Sequence, residues 1–284
     1  MKTLLFTALF TLLIFSIGNT SENLSEFIMH HVGNSDSWHP IPLLPGIHLP
    51  SEIYFYGINM GISLHVLLIF FAAVVMLIFL PLSSKRKSGA PASLFGHAIE
   101  AIVIFIRDDL VVPNIGKKEA VSWLPFFLTL FFFILTMNLL GLIPGLATTT
   151  SNINCTAALA IMTFLAFNIA GMVKNGPFKY YFKLVPSGVP WPIFIILWPI
   201  ELFGLCAKAF ALAIRLFANM TAGHIVIFAF LGLISLFKSW IITPIPLSFA
   251  LFIYLIEVLV AFLQAYVFTL LASLFIGMSI HQDH

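Results

Sequence analysis

The chain has 284 residues, of which 61% are hydrophobic and only 8% charged, with a mean hydropathy of +1.08 and a formal net charge of +2. A soluble domain carries roughly 25% charged residues, so this composition excludes a chain that covers itself in water and requires lipid as part of the solvent. The small net charge, with its few basic residues in short loops, argues for no nucleic acid as a partner.

Met1–Gly18 carries Lys2 followed by an apolar run too short for a span of roughly 20 residues, and polar Asn19–Glu26 follows at once. It reads as a signal sequence, with an uncleaved N-terminal anchor as the alternative. Residues 19–56 are rich in Pro and His and form an extracytoplasmic lead-in. Their His30, His31, His39 and His48 match no compact ligand set, so loop histidines and no metal are expected. Ile58–Leu80 is the first span, and the basic block Lys85-Arg86-Lys87 places its far end in the cytoplasm. Ser88–Val121 mixes Glu100, Arg107, Asp108, Asp109, Lys117 and Lys118 with an apolar part, Ala98–Ile106, that is too short to cross. It is expected to lie on the cytoplasmic surface as an amphipathic helix. Val121–Ile143 crosses outward to Pro144-Gly145, an uncharged loop runs through Asn152, and Ile153–Val173 returns to a side marked by Lys174, Lys179 and Lys183. Cys155 and Cys206 lie inside apolar segments, which favours packing over a disulfide or zinc site.

Trp191–Phe237 is apolar apart from Pro192, Pro199 and a few polar residues, and Pro246–Ile280 is a second such run. At about 1.5 Å per residue the first would reach roughly 60–70 Å, twice the hydrocarbon thickness of about 30 Å. Two long antiparallel helices, tilted in the membrane and joined by an outside turn at Lys238–Pro246, satisfy both lengths. The expected fold is therefore all-α and polytopic. A single membrane domain, residues 57–284, holds about five transmembrane helices (58–80, 121–143, 153–173, 191–237, 246–280) and the cytoplasmic-side amphipathic helix. The N-terminus is outside and the C-terminal His281–His284 cytoplasmic.

Ionisable groups at bilayer depth are costly and usually face a partner or water. The first long run holds Glu201, Lys208, Arg215, Asn219 and His224; the second holds Tyr254, Glu257 and Gln264. At about 100° per residue, Glu201, Lys208, Arg215 and Asn219 fall on one stripe, and positions 254, 257, 261, 264 and 268 share a face of the return helix. His224 lies nearly opposite Arg215, and an antiparallel return brings Glu257 to a comparable depth. A histidine and a carboxylate so placed can exchange protons near neutral pH. A guanidinium does not lose its proton, so Arg215 is a fixed charge and not a relay. The small pairs Ala207/Ala211 and Ala218/Ala222 admit a close helix partner beside it.

Each residue also has a plainer reading. Arg215 is either a snorkelling side chain or half of an ion pair with Glu201 or Glu257, although apolar sequence on both sides weakens snorkelling. Glu201 and Lys208 suit an interfacial role, His224 a packed core position, and Asn219 and Gln264 amide bridges between helices. His65 and Asn168 remain unassigned. A secondary transporter would show matching broken helices in two halves, which the crowding of polar residues into one third does not give. A membrane scaffold would not need an unpaired arginine at depth. No nucleophile–base constellation, phosphate loop or metal-ligand spacing marks an enzyme acting alone, and no cofactor is expected.

The segment Arg215-Leu216-Phe217-Ala218-Asn219-Met220-Thr221-Ala222-Gly223-His224 resembles subunit a of the rotary F-type ATP synthase, the stationary proton-channel subunit of its membrane sector. Glu201, Lys208, Leu263-Gln264-Ala265-Tyr266, Met137-Asn138-Leu139-Leu140 and His30-His31 extend the resemblance over most of the chain. It implies that Arg215 is the essential fixed charge facing a ring of c subunits, and that Asn219, His224, Glu257, Gln264 and Asn138 line or border the proton path. Glu201 and Lys208 would belong to the cytoplasmic half-channel. In some members the acid stands at the position of His224 and the histidine at that of Glu257, so the pair here is exchanged. Gly141 stands where some relatives carry an acid beside the outer mouth, which leaves the first proton acceptor open. The implied partners are the c ring, peripheral-stalk b subunits, the remainder of the ATP synthase and membrane lipid. Protons are the default coupling ion, and a bacterial inner membrane fits the signal-like start.

Overall fold

The computed structural model describes residues 64–83, 93–143, 146, 148–185, 188–237 and 242–282, besides six isolated residue pairs between Ser37 and Pro91. Those pairs form three two-residue antiparallel ladders, Ser37–Trp38 with Ile47–His48, Tyr54–Phe55 with Ile58–Asn59, and Arg86–Lys87 with Ala90–Pro91. The expected signal sequence, most of the lead-in, the Pro144-Gly145 turn and the tip of the turn between the long helices lie outside the described residues.

The other described elements are helical. Lipid offers a backbone no hydrogen bonds, so a spanning chain must pair its own N–H and C=O groups, and the helix does this within one segment. The helices are α1 (Leu64–Ser83), α2 (Leu94–Phe105), α3 (Val112–Ile115), α4 (Lys117–Gly141), α5 (Ile153–Asn175), α6 (Pro177–Phe182), α7 (Trp191–Phe237) and α8 (Pro244–Ile280). Five of them, α1, α4, α5, α7 and α8, are long and apolar enough to cross a membrane. A π-helical turn, Ile106–Val111, joins α2 to α3.

That turn carries the amphipathic character expected of this segment. Ile106, Leu110 and Val111 are buried, while Arg107, Asp108 and Asp109 are exposed. A π turn is wider than an α turn, which lets both Leu110 and Val111 share the inward side with Ile106. Ser93 caps the start of α2, its Oγ accepting from Gly96 N–H at 3.1 Å. Gly116 and Gly176 have φ of 89° and 88° and make the sharp turns between α3 and α4 and between α5 and α6.

The described chain forms two compact units. The first comprises the described residues of Met1–Val74, Leu135–Cys155 and Phe217–Phe262. In it the end of α7 and the start of α8 pack antiparallel: Leu231, Ile234 and Ala250 are buried together against Ile227, Phe228, Phe230 and Leu247. Phe230 and Phe249 stack with ring centroids 5.5 Å apart.

The second unit comprises Val75–Ile134, Thr156–Leu216 and Leu263–His284. Here α8 is the common support. Asn114 donates to Ser273 Oγ at 2.8 Å, Asn175 donates to the Ser279 carbonyl at 3.1 Å, and Tyr180 Oη lies 3.2 Å from Ser279 Oγ. His281 Nε2 lies 2.8 Å from the Ile115 carbonyl, and Gln282 donates to the Tyr180 carbonyl at 3.4 Å. These bonds tie the end of α8 to α3, to the last residue of α5 and to α6, and they supply partners for the Ile115 and Tyr180 carbonyls near two helix ends.

Candidate functional site

The expected polar residues fall into both units. In the first, α7 and α8 run antiparallel from the turn near residue 240, so positions equidistant from it meet. His224 and Glu257 are such a pair, and Nδ1 of the imidazole lies against Oε1 of the carboxylate. The Glu257 side chain is 3% exposed and that of His224 14%. Gly223 makes room for the carboxylate: a Cβ there would come 2.7 Å from Glu257 Oε1 and 2.9 Å from its Cδ.

Both ring nitrogens of His224 face acceptors. Nδ1 lies 3.0 Å from the Met220 carbonyl, and Nε2 lies 3.1 Å from the Gly141 carbonyl and 2.6 Å from Thr148 Oγ1. A carbonyl can only accept, so the ring donates wherever it bonds Met220 or Gly141. His224 and Glu257 are thus placed to hold and share a proton between imidazole and carboxylate.

Around this pair the first unit buries further polar groups. Asn138 is fully buried; its amide donates to the Ala261 carbonyl at 3.2 Å, and its Oδ1 has no hydrogen-bond partner among the described residues. Tyr254 donates to the Leu142 carbonyl at 3.2 Å. Thr148, Thr149, Thr150 and Ser151 are all buried between α4 and α5, and Thr221 donates to the Ser151 carbonyl at 3.4 Å. Asn219, Ala218 and Ala222 are exposed on α7.

In the second unit Arg215 is exposed on α7, as are Ala207 and Ala211. Among the described residues of this unit Arg215 enters no ion pair, so the pairing with Glu201 considered for it from sequence is not formed there. Lys208 is half-buried, its Nζ 5.5 Å from the centroid of the Phe275 ring, a cation–π contact that accounts for its depth. Glu201 is half-buried and Gln264 is buried. The expected stripe of Glu201, Lys208, Arg215 and Asn219 therefore does not share one environment: its two earlier members are half-buried and its two later ones exposed. The expected face of α8 is the buried one, with Glu257, Ala261, Gln264 and Phe268 all inside.

The residues left unassigned are accounted for in part. Asn168 donates to the Phe164 carbonyl at 2.8 Å and accepts from Tyr181 Oη at 3.3 Å, a packing role. His65 is buried in α1. Cys155 is half-buried and Cys206 exposed, both as free thiols. Outside the long helices, Arg107 holds the Asp108 carboxyl below its usual range through a bidentate ion pair, at 2.7 Å and 2.9 Å. Burial raises the Tyr180 hydroxyl above its usual range, opposed by its bond to Ser279.

The contact of Thr148 with His224 was not legible from sequence. Its signal was a run of four consecutive hydroxyl residues, Thr148–Ser151, in a loop without charge.

The ATP synthase A chain family model matches residues 65–277. ATP synthase subunit a of Chloroherpeton thalassium is 44% identical over 264 residues, covering 90% of this chain and 77% of that protein. ATP synthase subunit a 2 of Chlorobium luteolum is 41% identical over 92% of this chain and 77% of its own length. ATP synthase subunit a of Myxococcus xanthus is 42% identical over 80% of this chain and 77% of its own length.

Proposed function

Because the chain belongs to the ATP synthase A chain family, that of the proton-channel subunit a of the membrane sector, we propose that it conducts protons through two half-channels, with Arg215 as the fixed charge between them. The observation that carries this reading is Arg215 itself. It is an exposed guanidinium on an apolar helix, without an ion pair among the described residues, beside exposed Ala207 and Ala211. An isolated cation at bilayer depth is expensive, and small neighbours let a second helix approach. A carboxylate carried by another subunit supplies what the arginine lacks.

The path begins on the outside. Protons enter past Asn138, Asn219 and the His224–Glu257 pair, with Gln264 bordering the route, and reach a carboxylate on the c ring. That carboxylate faces lipid only when protonated, since an isolated ion there is very unfavourable. After nearly a full rotation it meets Arg215, whose charge favours the ionised carboxylate, and the proton leaves through a cytoplasmic half-channel near Glu201 and Lys208. A fixed cation between the two half-channels also opposes direct leakage.

In this reading the chain works as a multi-pass subunit of a bacterial inner membrane, N-terminus outside and C-terminus cytoplasmic, together with the c ring, the b subunits and the rest of the complex. It performs no catalysis alone. The test is proton-driven ATP synthesis in membranes carrying the complex with Arg215→Ala: coupled synthesis should vanish, and synthesis at the normal rate would refute the assignment.

A further inference from the structure

The His224 ring has a second neighbour capable of proton exchange, on the side away from Glu257. Thr148 Oγ1 lies 2.6 Å from Nε2, in a side chain that is 2% exposed. The same hydroxyl lies 3.2 Å from the Gly141 carbonyl. Nε2 also contacts that carbonyl at 3.1 Å, but a carbonyl cannot deliver a proton, whereas a hydroxyl both donates and accepts. Of the groups that contact Nε2 among the described residues, Thr148 alone can pass a proton to it. By rotating about its C–O bond the hydroxyl donates either to Gly141 or to His224, two settings that differ only in the position of one hydrogen.

The surroundings hold Thr148 in this position. Ser151 donates to the Thr148 carbonyl at 2.7 Å, pinning the turn. At Gly141 a Cβ would come 2.7 Å from Thr148 Cγ2 and 3.1 Å from its Cα, so glycine there is what lets the threonine reach the ring. The Thr150 hydroxyl, fully buried in the same turn, has no hydrogen-bond partner among the described residues. Thr148 thus reaches the histidine from a turn of four buried hydroxyl residues, Thr148–Ser151.

We propose that the Thr148 hydroxyl is the direct proton-exchange partner of His224, the relay by which protons reach the His224–Glu257 pair. This rests on the reading of that pair as part of the proton path. In the inward step a hydronium ion gives a proton to Oγ1 while the original hydroxyl proton passes to the Nε2 lone pair. The hydronium becomes water, the threonine is again a neutral hydroxyl, and the pair holds one added proton. The reverse step returns it.

The test uses the whole ATP synthase reconstituted into vesicles, reading proton flow through the membrane sector under an imposed gradient. Thr148→Val keeps the shape and removes the hydroxyl, and should lower the flow by about a hundredfold, the scale of a lost proton-transfer group. Thr148→Ser keeps the hydroxyl and should retain most of the flow. Gly141→Ala should reproduce the valine variant by displacing the hydroxyl. The proposal is overturned if Thr148→Val conducts as the parent does, or if Thr148→Ser in an assembled complex falls as far as Thr148→Val. Should the valine variant fail to assemble, Thr148→Ala carries the same expectation and the same refutation. His224→Ala separates the two levels. If it conducts normally, the reading of His224 fails and the relay with it; if it blocks flow while Thr148→Val does not, the relay alone fails.

Discussion

His224 and Glu257 meet across the antiparallel ends of α7 and α8, Nδ1 against Oε1, at positions equidistant from the turn that joins the helices. The pair needs one ring and one carboxyl, and the helices present them from opposite sides. His224→Ala should sharply slow proton-driven ATP synthesis. The double exchange His224→Glu with Glu257→His restores the same two groups from exchanged backbones and should recover part of the rate. Synthesis no faster in the double variant than in the worse single one would show that the two do not act as a unit.

Gly223 sets the closeness of that pair. A Cβ at this position would press on the end of the Glu257 side chain, 2.7 Å from Oε1 and 3.3 Å from Cγ. A side-chain end can yield without unfolding the helix, so Gly223→Ala should assemble normally yet carry protons more slowly. A displacement of this size costs about tenfold to a hundredfold where geometry governs transfer. Proton flow in reconstituted vesicles, compared with the amount of assembled complex, is the measurement.

The helices were legible because each apolar run is long enough to cross as a helix, which pairs its own backbone within one segment, and the pairing of His224 with Glu257 followed from counting outward from the turn. Three features were not. α4 begins at Lys117, ahead of the apolar pattern at Val121, because a charge ends a bilayer crossing but not a helix; the break is Gly116 with its positive φ. Thr148 reads as an ordinary loop hydroxyl until the loop is seen packed on α7, since its meaning lies in a contact 76 residues away in sequence. Lys208 was legible as a charge within an apolar run but not as a partner of Phe275, for a ring face carries no polar signature in sequence.

Arg107 and Asp108 form a bidentate pair that is about half exposed at both ends. The Asp108 carboxyl is held below its usual range, so any stability it contributes is present above the carboxyl's unfolded value and lost as the pH falls through the lower folded one. Solvent screens such exposed pairs. Asp108→Asn should therefore leave the thermal unfolding midpoint of the membrane sector unchanged at pH 7. A clear drop would show that the pair is less exposed in the assembled complex.

Tyr180 is fully buried, its hydroxyl on Ser279, and its ring fills the space over Gly171, where a Cβ would collide with it. Tyr180→Phe removes one buried hydrogen bond and should cost about 1 kcal/mol. Gly171→Ala forces the ring out of place and should cost about 1–3 kcal/mol. Burial raises the Tyr180 hydroxyl, so its contribution is intact below the ordinary tyrosine range and is lost as the pH rises through the raised value. Unfolding of the detergent-solubilised complex followed against pH would show a steeper alkaline loss in the parent than in Tyr180→Phe.

Arginine and lysine are both cations in water, but a desolvated lysine can lose its proton, while a guanidinium keeps its own. If position 215 needed only a cation, Arg215→Lys would preserve coupled synthesis. If it needs a charge that never becomes a carrier, the lysine variant loses coupling and also lets protons leak, because a neutral amine between the half-channels accepts from one and gives to the other. Arg215→Ala removes the charge and the carrier together. Comparing ATP synthesis and passive proton leak in the two variants distinguishes these roles. The fixed-charge reading expects both to abolish synthesis, and a lysine variant that synthesises ATP at the parent rate without leak would refute it.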